Sequence, residues 1–94
     1  MNMLRIVVPS NTSSQLTFST FERYGLPAPP NGVDAEINDD VVLNFEDEEE
    51  AITYADQLEI LSNGLNDKSS PQNIAIGDMI MAIRNDEFIQ NYIQ

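Results

Sequence analysis

Apolar positions recur at two spacings along the 94-residue chain, and the change from one to the other divides it. Near the start, Leu4 to Val8 (Leu-Arg-Ile-Val-Val) is a β-branched apolar run closed by Pro9, which predicts a short strand. Further on, Val33, Ala35 and Ile37 alternate with Asp34, Glu36 and Asn38. Val41, Leu43 and Phe45 repeat that two-residue period, with Val42 directed to the other side. Asn38-Asp39-Asp40 separates the two runs. The pair predicts a β-hairpin with Asp34 and Glu36 on the face away from the core.

Past Phe45 the period lengthens to that of a helix. Asp47 followed by Glu50 three places on makes a capping-box pattern. Ala51, Tyr54, Ala55, Leu58, Leu61 and Leu65 then share a stripe roughly 120° wide, with Ile60 outside it. Asn63-Gly64 stops this helix and Ser70-Pro71 starts the next. There Ile76, Met79, Ile80 and Ile83 share one face, and Met79 and Met81 flank Ile80, so one of the two methionines leaves that face. Phe88, Ile89, Tyr92 and Ile93 would fall on nearly the opposite side of a continuous helix, where no single surface buries both sets. A break near Arg84-Asn85 resolves the conflict. Asn85 then caps a short final helix whose first turn holds Asp86 and Glu87.

Three segments carry weaker patterns. Asn11 to Ser14 is a polar linker. Over residues 15–24, Leu16, Phe18 and Thr20 alternate as in a strand, while Leu16, Thr20 and Tyr24 also fit a helix that Gly25 would stop. Both readings stand, and the glycine favours the helix. Leu26 to Gly32 contains three prolines and excludes both helix and central strand. The order of elements predicts an α+β fold. One small two-layer domain spans residues 1–94, with the N-terminal strand and the hairpin packed against two to three C-terminal helices.

Charge sharpens the picture. Asp34 to Asp67 holds twelve acidic residues and no Lys or Arg. Elsewhere four acids (Glu22, Asp78, Asp86, Glu87) balance four bases (Arg5, Arg23, Lys68, Arg84), so the net charge of −12 comes from that stretch. Such a surface attracts basic partners and repels acidic ones. Direct binding to nucleic acid is not expected, because it requires Lys and Arg to displace counterions from phosphates. An anionic membrane surface is disfavoured on the same ground. Without cysteine there is no disulfide and no thiolate metal site. The first apolar run is too short for a signal peptide, and none approaches the ~20 residues that span a bilayer, so the expected address is the cytoplasm.

Candidate chemistry is sparse. The chain has no histidine and no cysteine, and no G-x-S-x-G or S-x-x-K motif surrounds its serines. Paired carboxylates can hydrolyse glycosides, but these crowd one solvated stretch of a small chain, so no catalytic residue and no enzyme are expected. Asp34, Glu36, Asp39 and Asp40 are hard oxygen ligands close in sequence. They lack the EF-hand frame of a glycine at position six and a glutamate at twelve, and no metal site or cofactor is expected.

The acidic run itself carries the functional expectation. Two or three acids suffice to complement a helix dipole, and Glu46 to Glu50 supplies five, beside Asp56 and Glu59 on the polar side of the same helix. The expected partner-binding residues are Asp39, Asp40, Glu46, Asp47, Glu48, Glu49, Glu50, Asp56 and Glu59, facing a basic protein surface such as that of a nuclease or other nucleic-acid-binding protein. Duplex DNA presents about one charge per 1.7 Å of axis, a density that a rigid carboxylate surface can imitate. Size and charge profile are similar to those of small acidic immunity proteins and of anti-restriction, anti-CRISPR and other DNA-mimic inhibitors, a likeness of composition that covers no motif. The competing expectation is a structural or assembly subunit. It would dock, on a partner or as a homo-oligomer, through its apolar C-terminal helices, with the acidic face serving solubility.

Overall fold

In the computed structural model, which describes residues 3–10 and 14–94, elements form in the order β1 (Leu4–Val8), α1 (Phe18–Arg23), β2 (Val33–Ala35), β3 (Val41–Phe45), α2 (Glu48–Asn63), α3 (Pro71–Arg84) and α4 (Glu87–Ile93). The polar linker expected at Asn11 to Ser14 lies outside the described residues except for Ser14. The strands make one antiparallel sheet of order β1-β3-β2, so the last strand in sequence is the central one. The expected α+β architecture is the one that forms.

Period-two alternation decides what the sheet buries. Ile6 and Val8 of β1 and Val41, Leu43 and Phe45 of β3 turn to the helices, where they join Tyr54, Leu58, Ile76, Met79 and Ile83 in the core. Burying an aliphatic or aromatic side chain of this size contributes about 1.5–3 kcal/mol. Val42 faces the other way and is buried nonetheless, because Val7 and Asp34 flank it in register on the two outer strands.

The hairpin is shorter than its alternation predicts. Pairing stops at Ala35, and Ile37, expected on the core side, is 99% exposed. The reason is the turn. The Asp39 N–H donates to the Glu36 carbonyl at 2.9 Å, and the Glu36 N–H donates to the Asp40 carbonyl at 3.0 Å. This loop places Ile37 at the tip, with Asp39 in the left-handed region at φ 65°.

The ambiguous segment is helical from Phe18 to Arg23. Thr17 and Thr20 exchange the two bonds of a capping box, and Gly25 leaves the helix at φ 68°, open to glycine without strain. The proline-rich connection is held by Tyr54, whose hydroxyl donates to the Pro27 carbonyl at 2.5 Å. Ser70 caps α3 with Pro71 in its first turn, as expected. The break between α3 and α4 also falls where the two apolar faces conflict, but the cap lies one residue later than predicted. Asp86, not Asn85, accepts the Phe88 N–H at 2.9 Å and the Ile89 N–H at 3.4 Å, because a charged carboxylate is a strong cap and Asn85 is needed to end α3. Of the final apolar set only Ile89 is buried; Phe88, Tyr92 and Ile93 are each more than half exposed. No helix among the described residues is long and apolar enough to cross a membrane.

Candidate functional site

The nine nominated carboxylates fall into three groups set by the fold. Asp39 and Asp40 lie in the hairpin turn at one end of β3, and Glu46 to Glu50 follow its other end and open α2. At about 3.4 Å per residue, the five-residue strand alone keeps these groups roughly 14 Å apart. Asp56 and Glu59 sit further along α2, whose rise of about 1.5 Å per residue puts Asp56 some 9 Å beyond Glu50.

Most of these side chains are already engaged. Asp40 accepts both the N–H and the hydroxyl of Ser10 at 2.9 Å, and Asp39 accepts the Ser19 hydroxyl at 2.8 Å. These bonds tie the hairpin turn to the end of β1 and to α1. On α2, Arg84 spans Asp56 at 3.2 Å and Glu59 at 2.6 Å, and this pairing raises the guanidinium pKa, chiefly through the bond to Glu59.

The start of α2 divides in two. Asp47 is the N-cap and accepts the Glu50 N–H at 2.9 Å. Glu50 does not return the bond to Asp47, as a capping box would. Its carboxylate reaches one residue further, to the Glu46 N–H at 3.3 Å, and takes the Asn31 amide at 2.6 Å, so it fastens the proline-rich connection to the helix. Glu46, Glu48 and Glu49 have carboxylates with no partner among the described residues. They stand where the helix dipole favours negative charge, and Glu46 and Glu49 are exposed.

Two clefts flank this point. One, of about 310 Å³, runs between Pro30, Glu49, Thr53 and Tyr54, whose phenol is pushed far above its ordinary pKa by burial. The other, of about 350 Å³, is bounded by Met3, Leu4, Arg5, Glu46, Glu48 and Phe88. Its composition depends on a pairing 41 residues apart in sequence: Leu4 opposite Phe45 sets the start of β1 beside the start of α2. Met3 and Phe88 are 43% and 61% exposed there. Arg5 offsets part of the charge, reaching Glu36 across the sheet at 3.9 Å.

Met3 and Arg5 were not among the residues the sequence nominated for this surface. Their position follows from strand register, for which local pattern holds no signal. Among the described residues no three acidic side chains gather as a metal site would require, those of Asp34, Glu36, Asp39 and Asp40 included. Asp34 instead accepts the Asn44 side-chain amide at 2.8 Å. The chain has no significant match to any protein-family model, curated protein or solved structure, so function is argued from these residues alone.

Proposed function

We propose that the chain is a non-enzymatic binding protein that engages a basic surface of a protein partner through the start of α2, and that it inhibits this partner by competing with nucleic acid. One observation carries the reading: Glu46 and Glu48, whose carboxylates have no partner among the described residues, lie beside the exposed side chains of Met3 and Phe88, and Glu49, equally free, borders the adjoining cleft. Unpaired carboxylates supply attraction and rapid, salt-sensitive encounter, and the apolar neighbours supply contact area that excludes water. The carboxylates that organise the hairpin turn and the Arg84 pairs play a supporting part, because part of their acceptor capacity is already in use.

The second reading, an assembly subunit, is favoured by a different observation. Phe88 and Tyr92 are four residues apart on α4, both exposed, with Ile93 beside them. One experiment separates the two. The purified chain and its E46K/E48K/E49K variant are used to capture protein from source-cell lysate at low and high salt, with and without duplex DNA. Capture that is lost in the variant and displaced by both salt and DNA supports the inhibitor. Capture that survives the reversals and ignores DNA, but is lost in F88A/Y92A, supports the assembly subunit.

A further inference from the structure

The hydrogen bonding of β3 fixes which way every backbone group of β1 points. The Asn44 N–H donates to the Gly32 carbonyl at 3.2 Å, on the β2 side of the sheet. In an antiparallel ladder, successive residues of a strand address opposite neighbours. Val42 and Asn44 therefore turn to β2, and Val41, Leu43 and Phe45 turn to β1. Their register partners Val8, Ile6 and Leu4 turn inward, which leaves Arg5 and Val7 with N–H and C=O directed out of the sheet. β1 is the outermost strand, and no described residue hydrogen-bonds to those four groups. The two sheet edges differ in this respect. Each edge strand carries one charge, Asp34 on β2 and Arg5 on β1, but β2 is only three residues long, whereas β1 is five and has Pro9 outside the strand.

We infer that the outer edge of β1 is a strand-addition site for an extended, basic segment of a partner protein. Each end of the edge meets a cleft. At the Leu4 end lie Met3, Glu46, Glu48 and Phe88; at the Val8 end a cleft of about 240 Å³ is bounded by Val8, Pro9 and Met81, and Met81 is 62% exposed. Leu4 and Val8 are about 14 Å apart along an extended strand, the distance between side chains i and i+4 of an incoming one. An added strand pairs with Arg5 and Val7 through its backbone and sets two apolar side chains in the two clefts, the division of affinity and specificity usual in this mode. The unpaired Glu46 and Glu48 select Lys or Arg next to the first of these. A second copy of the chain is a poor occupant, because it brings another −12 of charge to the same surface. The basic character of the segment rests on the proposed function; the open edge does not.

The test follows amide hydrogen exchange in the full chain by NMR, with a nine-residue peptide alternating valine and lysine as probe and its valine–glutamate counterpart as control. The expected result is slowing of the Arg5 and Val7 amides by tenfold or more with the lysine peptide, next to an Ile6 amide that is slow throughout. V7P, which removes an N–H that has no partner among the described residues, abolishes binding, and its melting temperature reports separately the lost packing of Val7 on Val42. Lysine-peptide binding that leaves Arg5 and Val7 fast overturns the edge site and spares the acidic reading. Equal slowing by both peptides keeps the edge and overturns its basic occupant. No binding by either peptide at low ionic strength overturns both. Slow, concentration-dependent exchange at Arg5 and Val7 in the free chain assigns the edge to a second copy and overturns the inference; these wild-type readouts decide even where V7P fails to fold.

Discussion

The two ends of β3 carry acidic groups of similar look and different use. At the hairpin turn, Asp39 and Asp40 accept three hydrogen bonds from Ser10 and Ser19 and hold distant parts of the chain together. At the start of α2, Asp47 and Glu50 do comparable work, but the carboxylates of Glu46, Glu48 and Glu49 make no hydrogen bond or ion pair among the described residues. The turn holds two of these carboxylates and the start of α2 five, and only the second end keeps carboxylates with no internal donor among the described residues. A carboxylate that accepts internal donors offers a partner less, since binding must replace bonds already made. The contrast narrows the proposed binding surface more than net charge does.

Substitutions can break or sharpen that contrast. The largest effect is expected at the hairpin turn: D39A/D40A removes three charge-assisted bonds and places alanine at φ 65°, a combined loss of about 2–3 kcal/mol. Urea denaturation measures it, and a loss below half a kilocalorie would show that these residues are no more engaged than Glu48. Next comes the cap. D47A is expected to destabilise by about 1 kcal/mol, read in the same way. Tyr54 belongs to a similar range through its bond to Pro27. Because burial raises its folded pKa above the unfolded value of 10.0, its contribution is complete below about pH 10 and is lost as pH rises above that. Y54F, which lacks the ionisable group, flattens this part of the alkaline stability profile. R84A is expected to cost about 1 kcal/mol or less, since both of its ion pairs are exposed, and high salt shrinks the difference. E46Q/E48Q/E49Q should change stability least, by about 0.5 kcal/mol or less, while relieving repulsion.

Much of the fold was legible because local pattern and tertiary burial agree. Val41, Leu43 and Phe45 alternate and are buried; Ala51, Tyr54, Ala55 and Leu58 keep helical spacing and are buried. The break between α3 and α4 was legible because two apolar faces conflict, and its cap was misplaced by one residue because Asn85 and Asp86 are both good caps. Ile37 was misassigned because alternation says nothing about where pairing stops. The turn bonds at Glu36, Asp39 and Asp40 decide that. At the site, composition located the acids and could not sort them. Whether Glu50 is engaged depends on Asn31, and whether Glu46 shares a cleft with Met3 and Phe88 depends on the pairing of Leu4 with Phe45. Those contacts are non-local, and a linear pattern does not record them.

The central claim is that the free negative charge is concentrated at the start of α2. An amide shift map of the labelled chain with hexalysine at low ionic strength tests it most directly, because that probe senses charge without filling an apolar cleft. The account predicts that shifts centre on Glu46, Glu48 and Glu49, leave Asp39 and Asp40 unmoved, and disappear in E46Q/E48Q/E49Q. Shifts of equal size at the hairpin turn, persisting in that variant, would contradict it.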